Sequence, residues 1–193
     1  YSINFANRIV MNVVFKNIRI VSPTQNIDRQ ANLWIKDGII NKITNDEIND
    51  MAAEYIDAEK YIAAPGFFDM HVHLREPGYE YKEDVRSGTL SAANGGFTGV
   101  LCMPNTNPSI DEAAVVELIK NKAKDNLVDV EIAAAITKDR KGEHLSPMLE
   151  LNDCGVRLFT DDGDCVSNSE IMRRAFYYAA SKDLLLSQHA EDT

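Results

Sequence analysis

The sequence predicts an α/β chain in which a small N-terminal β domain precedes the first five strands of a (β/α)8 barrel of the TIM type. Three observations carry this expectation. Residues 11–63 read as β structure without helical spacing. After Pro65-Gly66 the pattern changes to a regular alternation of short apolar runs and amphipathic stretches. Finally, polar residues gather at the C-terminal end of one predicted strand after another: His71 and His73, then Asn105, then Asp161 and Asp162, then His189. Barrel enzymes build their sites at that end. Alternation alone also fits a doubly wound sheet, but such a nucleotide binder needs a glycine-rich loop between a strand and a helix. Asn94-Gly95-Gly96 follows a helix and precedes a strand, so it reads as a helix C-terminus instead.

In the β segment, Met11 to Ile20 forms one strand pattern. Leu33 to Ile40 reads as two strands joined at Asp37-Gly38, a strong hairpin signal. Tyr1 to Val10 are expected to be an upstream extension, and the barrel is expected to be truncated at Thr193. In the barrel segment the predicted strands are Phe67–Leu74, Thr98–Met103, Val128–Ile136, Val156–Thr160 and Leu184–His189. The predicted helices are Lys82–Asn94, Ile110–Asp125, Leu145–Leu151 and Ser169–Ser181. Asp111-Glu112 favour the start of the second helix electrostatically. Asn168 or Ser169 caps the fourth, whose apolar stripe is Ile171, Ala175, Tyr178 and Ala179.

The composition narrows the function. The 193 residues are 45% hydrophobic and 26% charged, which is ordinary for a globular chain. The net charge of −10 argues against nucleic acid as a partner, because phosphate binding needs clustered Lys and Arg. No apolar run is long enough for a membrane span, and the first ten residues lack the layout of a signal peptide. Cys102, Cys154 and Cys165 form no C-x-x-C pair, which argues against a disulfide framework and against a thiolate zinc site. A reducing cytoplasm is the expected setting.

The chemistry concentrates in Asp69-Met70-His71-Val72-His73-Leu74-Arg75-Glu76-Pro77-Gly78. Residues two apart in a strand share a face, so His71 and His73 can grip one metal ion. Asp69 has the same parity and either orients a ligand histidine or is a strand-end residue without a role. Arg75 continues the parity if the strand geometry holds, and it either binds a carboxylate or is solvated. Asn105, in Met103-Pro104-Asn105-Thr106-Asn107-Pro108, either holds an amide edge or forms a turn. A carboxylate in Thr160-Asp161-Asp162-Gly163 can ligate a metal or cap a turn, and His189 closes the fifth strand. His144 reads as a surface residue.

Together these motifs resemble the amidohydrolase superfamily, and within it the first class of bacterial dihydroorotases, from about Met11 to the last residue. The resemblance rests on Pro65-Gly66-Phe67-Phe68-Asp69-x-His71-x-His73-x-Arg75-x-Pro77-Gly78, Met103-Pro104-Asn105-Thr106, Asp161-Asp162-Gly163 and Gln188-His189-Ala190-Glu191-Asp192. It implies zinc, one or two ions, held by His71, His73 and Asp162, with His189 on a second ion. It carries the ligand onto Asp162 rather than Asp161, and parity with Leu158 and Thr160 agrees. It implies that His73, Arg75 and Asn105 contact the substrate. Relatives that bridge two metals with a carbamylated lysine need a lysine at the end of the fourth strand. None lies between Lys141 and Lys182, so an aspartate is the implied bridge.

The implied reaction is the reversible cyclisation of N-carbamoyl-L-aspartate to L-dihydroorotate in pyrimidine (UMP) biosynthesis. The general acid/base aspartate is expected beyond Thr193, so these 193 residues alone are expected to be inactive. The implied partners are the small-molecule substrate and either a second copy or aspartate transcarbamoylase. Allantoinase and dihydropyrimidinase chemistry are the nearest rivals, but their substrates leave Arg75 without a carboxylate. A non-catalytic subunit would be free to lose its ligands. A metal-free binding module predicts no cost beyond packing from changing His71 or His73.

Overall fold

The computed structural model describes residues 12–191 and resolves into two compact units, one ending at Pro65 and one beginning at Gly66. Met11 and the expected upstream extension lie outside the described residues.

The first unit is a sheet of five strands: β1 (Val13–Ser22), β2 (Ile27–Lys36), β3 (Ile39–Thr44), β4 (Glu54–Asp57) and β5 (Ile62–Ala63). β1 pairs antiparallel with β2, and β4 and β5 lie parallel to β1. The predicted hairpin joins β2 to β3. Asp37 and Gly38 both take positive φ (54° and 75°), the backbone that a two-residue turn matching the strand twist requires. Ile18, Ile20, Ala31, Leu33 and Ala58 form the small core. Beside it lies an open apolar concavity of about 830 Å³, lined among others by Phe15, Ile35, Ile43 and Ile62.

The second unit alternates strictly: β6 (Phe67–Val72), α1 (Val85–Asn94), β7 (Phe97–Cys102), α2 (Ala113–Ala123), β8 (Asp129–Ala134), α3 (Met148–Asp153), β9 (Leu158–Phe159), α4 (Ser169–Ala180) and β10 (Leu185–Leu186). All neighbouring strands are parallel and adjacent in chain order, from β6 through to β10. Five parallel strands alternating with four helices in this order match the first part of a (β/α)8 barrel, the fold expected from the sequence. Both faces of the sheet are apolar, as a covered parallel sheet demands. Cys102, Ile132, Ala134 and Phe159 pack with Val116, Ile119, Leu151 and Ala175 of the helices. On the opposite face Leu101, Met103, Ala133 and Leu158 make a second, smaller cluster.

Several boundaries differ from the sequence reading, each for a local reason. α1 starts at Val85 because Asp84 caps it: the Asp84 carboxylate accepts from the Ser87 amide at 2.7 Å, and the Ser87 hydroxyl closes the box. α2 starts at Ala113 rather than Ile110. The Ile110 carbonyl is taken by the Ala135 amide, and the Asp111 carboxylate accepts from the Asp139 amide at 2.6 Å. Glu112 occupies the cap position without a side-chain hydrogen bond, so neither acid caps the helix with its side chain. α3 begins after Pro147, because Leu145 bridges to Thr137. Asn168 caps α4 through Oδ1, which accepts from the amides of Glu170 and Ile171.

Candidate metal centre and active site

β6 sets the geometry of the site. Val72 and Leu74 pack with the helix-side core, so the alternation of the strand turns His71 to the other face. The imidazoles of His71 and His73 sit edge to face with centroids 5.1 Å apart. Asp162 meets both: its Oδ1 is 3.2 Å from His71 Nε2 and its Oδ2 is 3.7 Å from His73 Nε2. One ligand atom from each of the three residues lies within 4.8 Å of the others, an arrangement that could hold a metal ion. The Asp162 carboxylate is nearly buried, whereas His71 remains open to solvent.

The tandem acids divide their work. Asp161 turns away from the histidines and accepts from the Thr137 amide at 3.0 Å and from the Thr137 hydroxyl. Burial pushes its carboxyl above the ordinary range, and the Thr137 bonds pull the other way. The Asp162 carbonyl accepts from Arg140 Nη1 at 2.8 Å, and the same guanidinium pairs with Asp164 at 2.7 Å. Sequence reasoning missed Thr137 and Arg140. Thr137 lies just past the end of β8, where a polar residue is a readable signal. Arg140 had none, because it lies in a short 3-10 turn, Lys138–Arg140, with φ 59° beside Asp139 at φ 54°.

The remaining candidates are placed as follows. Asp69 accepts from the His71 backbone amide at 3.1 Å through Oδ1. Arg75 lies past the end of β6 with φ 62°, so the parity expected of it does not extend that far. Among the described residues nothing engages its guanidinium in a hydrogen bond or ion pair. Its loop is tied to the next one: the Asn107 amide donates to the Pro77 carbonyl at 2.9 Å. Gly78, at φ 95°, packs so closely that an added Cβ would lie 2.2 Å from the Asn107 carbonyl. Asn105 touches His73 and Asp162. His189 stands outside the three-residue group and lies 3.4 Å from Glu191 Oε2 through Nδ1, beyond the short end of β10. Among the described residues the group that could hold one ion comprises His71, His73 and Asp162. Cys102 is fully buried and its thiol is pushed up to about 12, so it offers no thiolate to a metal.

A family model described as dihydro-orotase-like matches residues 60–193. The chain belongs to the dihydroorotase-like family. Curated relatives named dihydroorotase include those of Citrifermentans bemidjiense and Geotalea daltonii, each 46% identical over 94% of this chain. The chain spans 43% of the length of either relative. Among solved structures it is similar to an L-hydantoinase (dihydropyrimidinase) from Arthrobacter aurescens, with a TM-score of 0.77 at 23% identity. That match covers 94% of this chain and 41% of the other. A D-hydantoinase from Thermus sp. gives 0.71 at 20% identity, covering 94% and 40%. These likenesses establish the barrel fold of the dihydroorotase-like chain.

Proposed function

We propose that this chain forms the metal-binding part of a dihydroorotase, which interconverts N-carbamoyl-L-aspartate and L-dihydroorotate in pyrimidine biosynthesis. The observation that carries the reading is the convergence of His71, His73 and Asp162 on one side of the barrel strands. Two imidazoles and one carboxylate suit zinc, and three protein ligands leave a position open for a reacting group. When bound, zinc lowers the pKa of a water molecule to about 7 and polarises an amide carbonyl. The chain's own residues hold and orient. His71, His73 and Asp162 hold the ion, and the Asp161–Thr137 and Arg140–Asp162 bonds hold the turn that presents Asp162.

Arg75, with no protein partner among the described residues, binds the ring carboxylate in the bidentate manner suited to a guanidinium. By the resemblance, His73 and Asn105, which hydrogen-bond to each other, also contact the substrate. No residue of the chain is assigned as general acid/base. By the resemblance, that role belongs to an aspartate, and His189 belongs to a second ion. The partner reading that accompanies this function is a small-molecule substrate together with a second copy or aspartate transcarbamoylase, in the cytoplasm. Among the described residues no helix is long and apolar enough to cross a membrane.

The test is a substrate comparison with the intact protein and added zinc. Dihydroorotate is expected to be hydrolysed far faster than dihydrouracil, hydantoin or allantoin, which lack a carboxylate at the matching ring position. Preference for any of those three would replace the dihydroorotase reading with that of its rivals.

A further inference from the structure

The side chain of Asn105 bridges two members of the metal group. Its Oδ1 lies 2.9 Å from His73 Nδ1, and its Nδ2 donates to Asp162 Oδ2 at 3.5 Å. We propose that Asn105 is a positioning residue that fixes His73 as the Nδ1–H tautomer and thereby presents the Nε2 lone pair, beside Asp162, to the metal. The inference rests on the metal reading above. It is separate from the substrate contact that the resemblance gives Asn105.

The argument is one of matching donors to acceptors. A carboxylate only accepts, so the end of the Asn105 amide that faces Asp162 is the NH2 group. The flipped amide would set two acceptor oxygens against each other with no proton between them. Oδ1 therefore faces His73 and can only accept, so Nδ1 carries the proton. A neutral imidazole has a single N–H, which leaves Nε2 as a lone pair. That atom is the one that faces Asp162 Oδ2 at 3.7 Å. Two acceptors aimed at one point are stabilised by a cation between them, and the Nδ1–H to carbonyl bond is the usual way in which proteins orient a ligand histidine.

The backbone around Asn105 is built for this placement. The Met103 amide donates to the Val72 carbonyl at 2.9 Å and ties the end of β7 to that of β6 between the two histidines. Gly163, at φ 86°, follows Asp162, and an added Cβ there would crowd the Asn105 amide nitrogen at 3.4 Å. The Asn105 amide thus sits between the β6 end and the Asp161-Asp162-Gly163 turn and links ligands from both.

The experiment is a tautomer measurement on the intact, metal-free protein with ring-15N histidine, under mildly alkaline conditions in which imidazoles are neutral. The His73 signal is assigned by its loss in His73→Gln. Native His73 is expected as the Nδ1–H form. Asn105→Ala should shift it toward Nε2–H and weaken zinc binding, measured by competition with a chromophoric chelator, by about ten- to a hundredfold. Asn105→Asp keeps an acceptor and should retain the Nδ1–H form. An Nε2–H tautomer in the native protein would overturn the proposal. So would an Asn105→Ala protein with unchanged tautomer, or one with a shifted tautomer and unchanged zinc affinity. A native protein that binds no zinc at all would remove the metal reading, and the tautomer would still decide whether Asn105 orients His73.

Discussion

Asp161 and Asp162 are chemically identical neighbours, and only their surroundings give them different roles. Asp162 faces His71 and His73, and Asp161 is spent on Thr137. Strand parity hinted at this division, but the contact that decides it comes from Thr137, 24 residues earlier in the chain. Arg75 shows the opposite case. Its place in the motif marked it from the sequence, yet the parity argument fails because the backbone turns left-handed at Arg75. What supports its role is a guanidinium without a partner among the described residues, in a loop pinned at Pro77 and Gly78. Arg75→Met in the intact protein is expected to cost about 2–5 kcal/mol of binding or transition-state stabilisation, as for other truncated charge pairs. The loss should appear in kcat/KM for dihydroorotate, with little change in thermal midpoint. Unchanged kcat/KM would make Arg75 a solvated surface residue.

At the scale of elements, the periodic segments were readable and the ends were not. α4 matches its predicted span within a residue because its cap is a local signal, and Ala175 and Ala179 of its expected apolar stripe are buried whereas Tyr178 is exposed. β9 and β10 shrink to two residues each, although the apolar runs around them are longer. Apolar patterning marks what is buried, not what completes a ladder. Bonds such as Thr160 amide to Ala134 carbonyl and Ser187 amide to Phe159 carbonyl carry the chain past the formal strand ends into the site loops. α1 gives a testable element. Its N-terminus is held by the Asp84 box and by Glu76, whose carboxylate accepts from the Val85 amide at 3.0 Å and pairs with Lys122 of α2 at 2.7 Å. Asp84→Ala removes the box and should lower stability by about 1 kcal/mol. Urea unfolding of the intact protein would register this as a lower midpoint at constant slope. An unchanged midpoint would show that Glu76 alone secures the helix start.

At the scale of the molecule, the 193 residues supply five barrel strands, whereas a closed barrel takes eight and roughly 250 residues. Phe67, Phe68 and Met70 of the edge strand β6 are exposed, and the small sheet has its own open apolar face. Exposed edges and apolar patches favour association. Expressed alone, these residues are expected to associate or precipitate and to leave dihydroorotate unhydrolysed even with zinc added. Turnover near that of the intact protein would place the general base within this sequence. The sequence made the barrel legible through polar residues recurring at the ends of successive predicted strands, and the His-x-His pair through spacing along one strand. It could not reveal the bond from Thr137 to Asp161, since that joins the ends of two strands 24 residues apart in the chain. The central claim is that His71 and His73 hold a catalytic zinc ion with Asp162. Its most direct test is the metal content of the intact protein by elemental analysis, native against the His71→Ala/His73→Ala double variant. Zinc is expected in the native protein and is expected to be lost in a double variant whose circular dichroism is unchanged. Undiminished zinc in that variant would contradict the assignment.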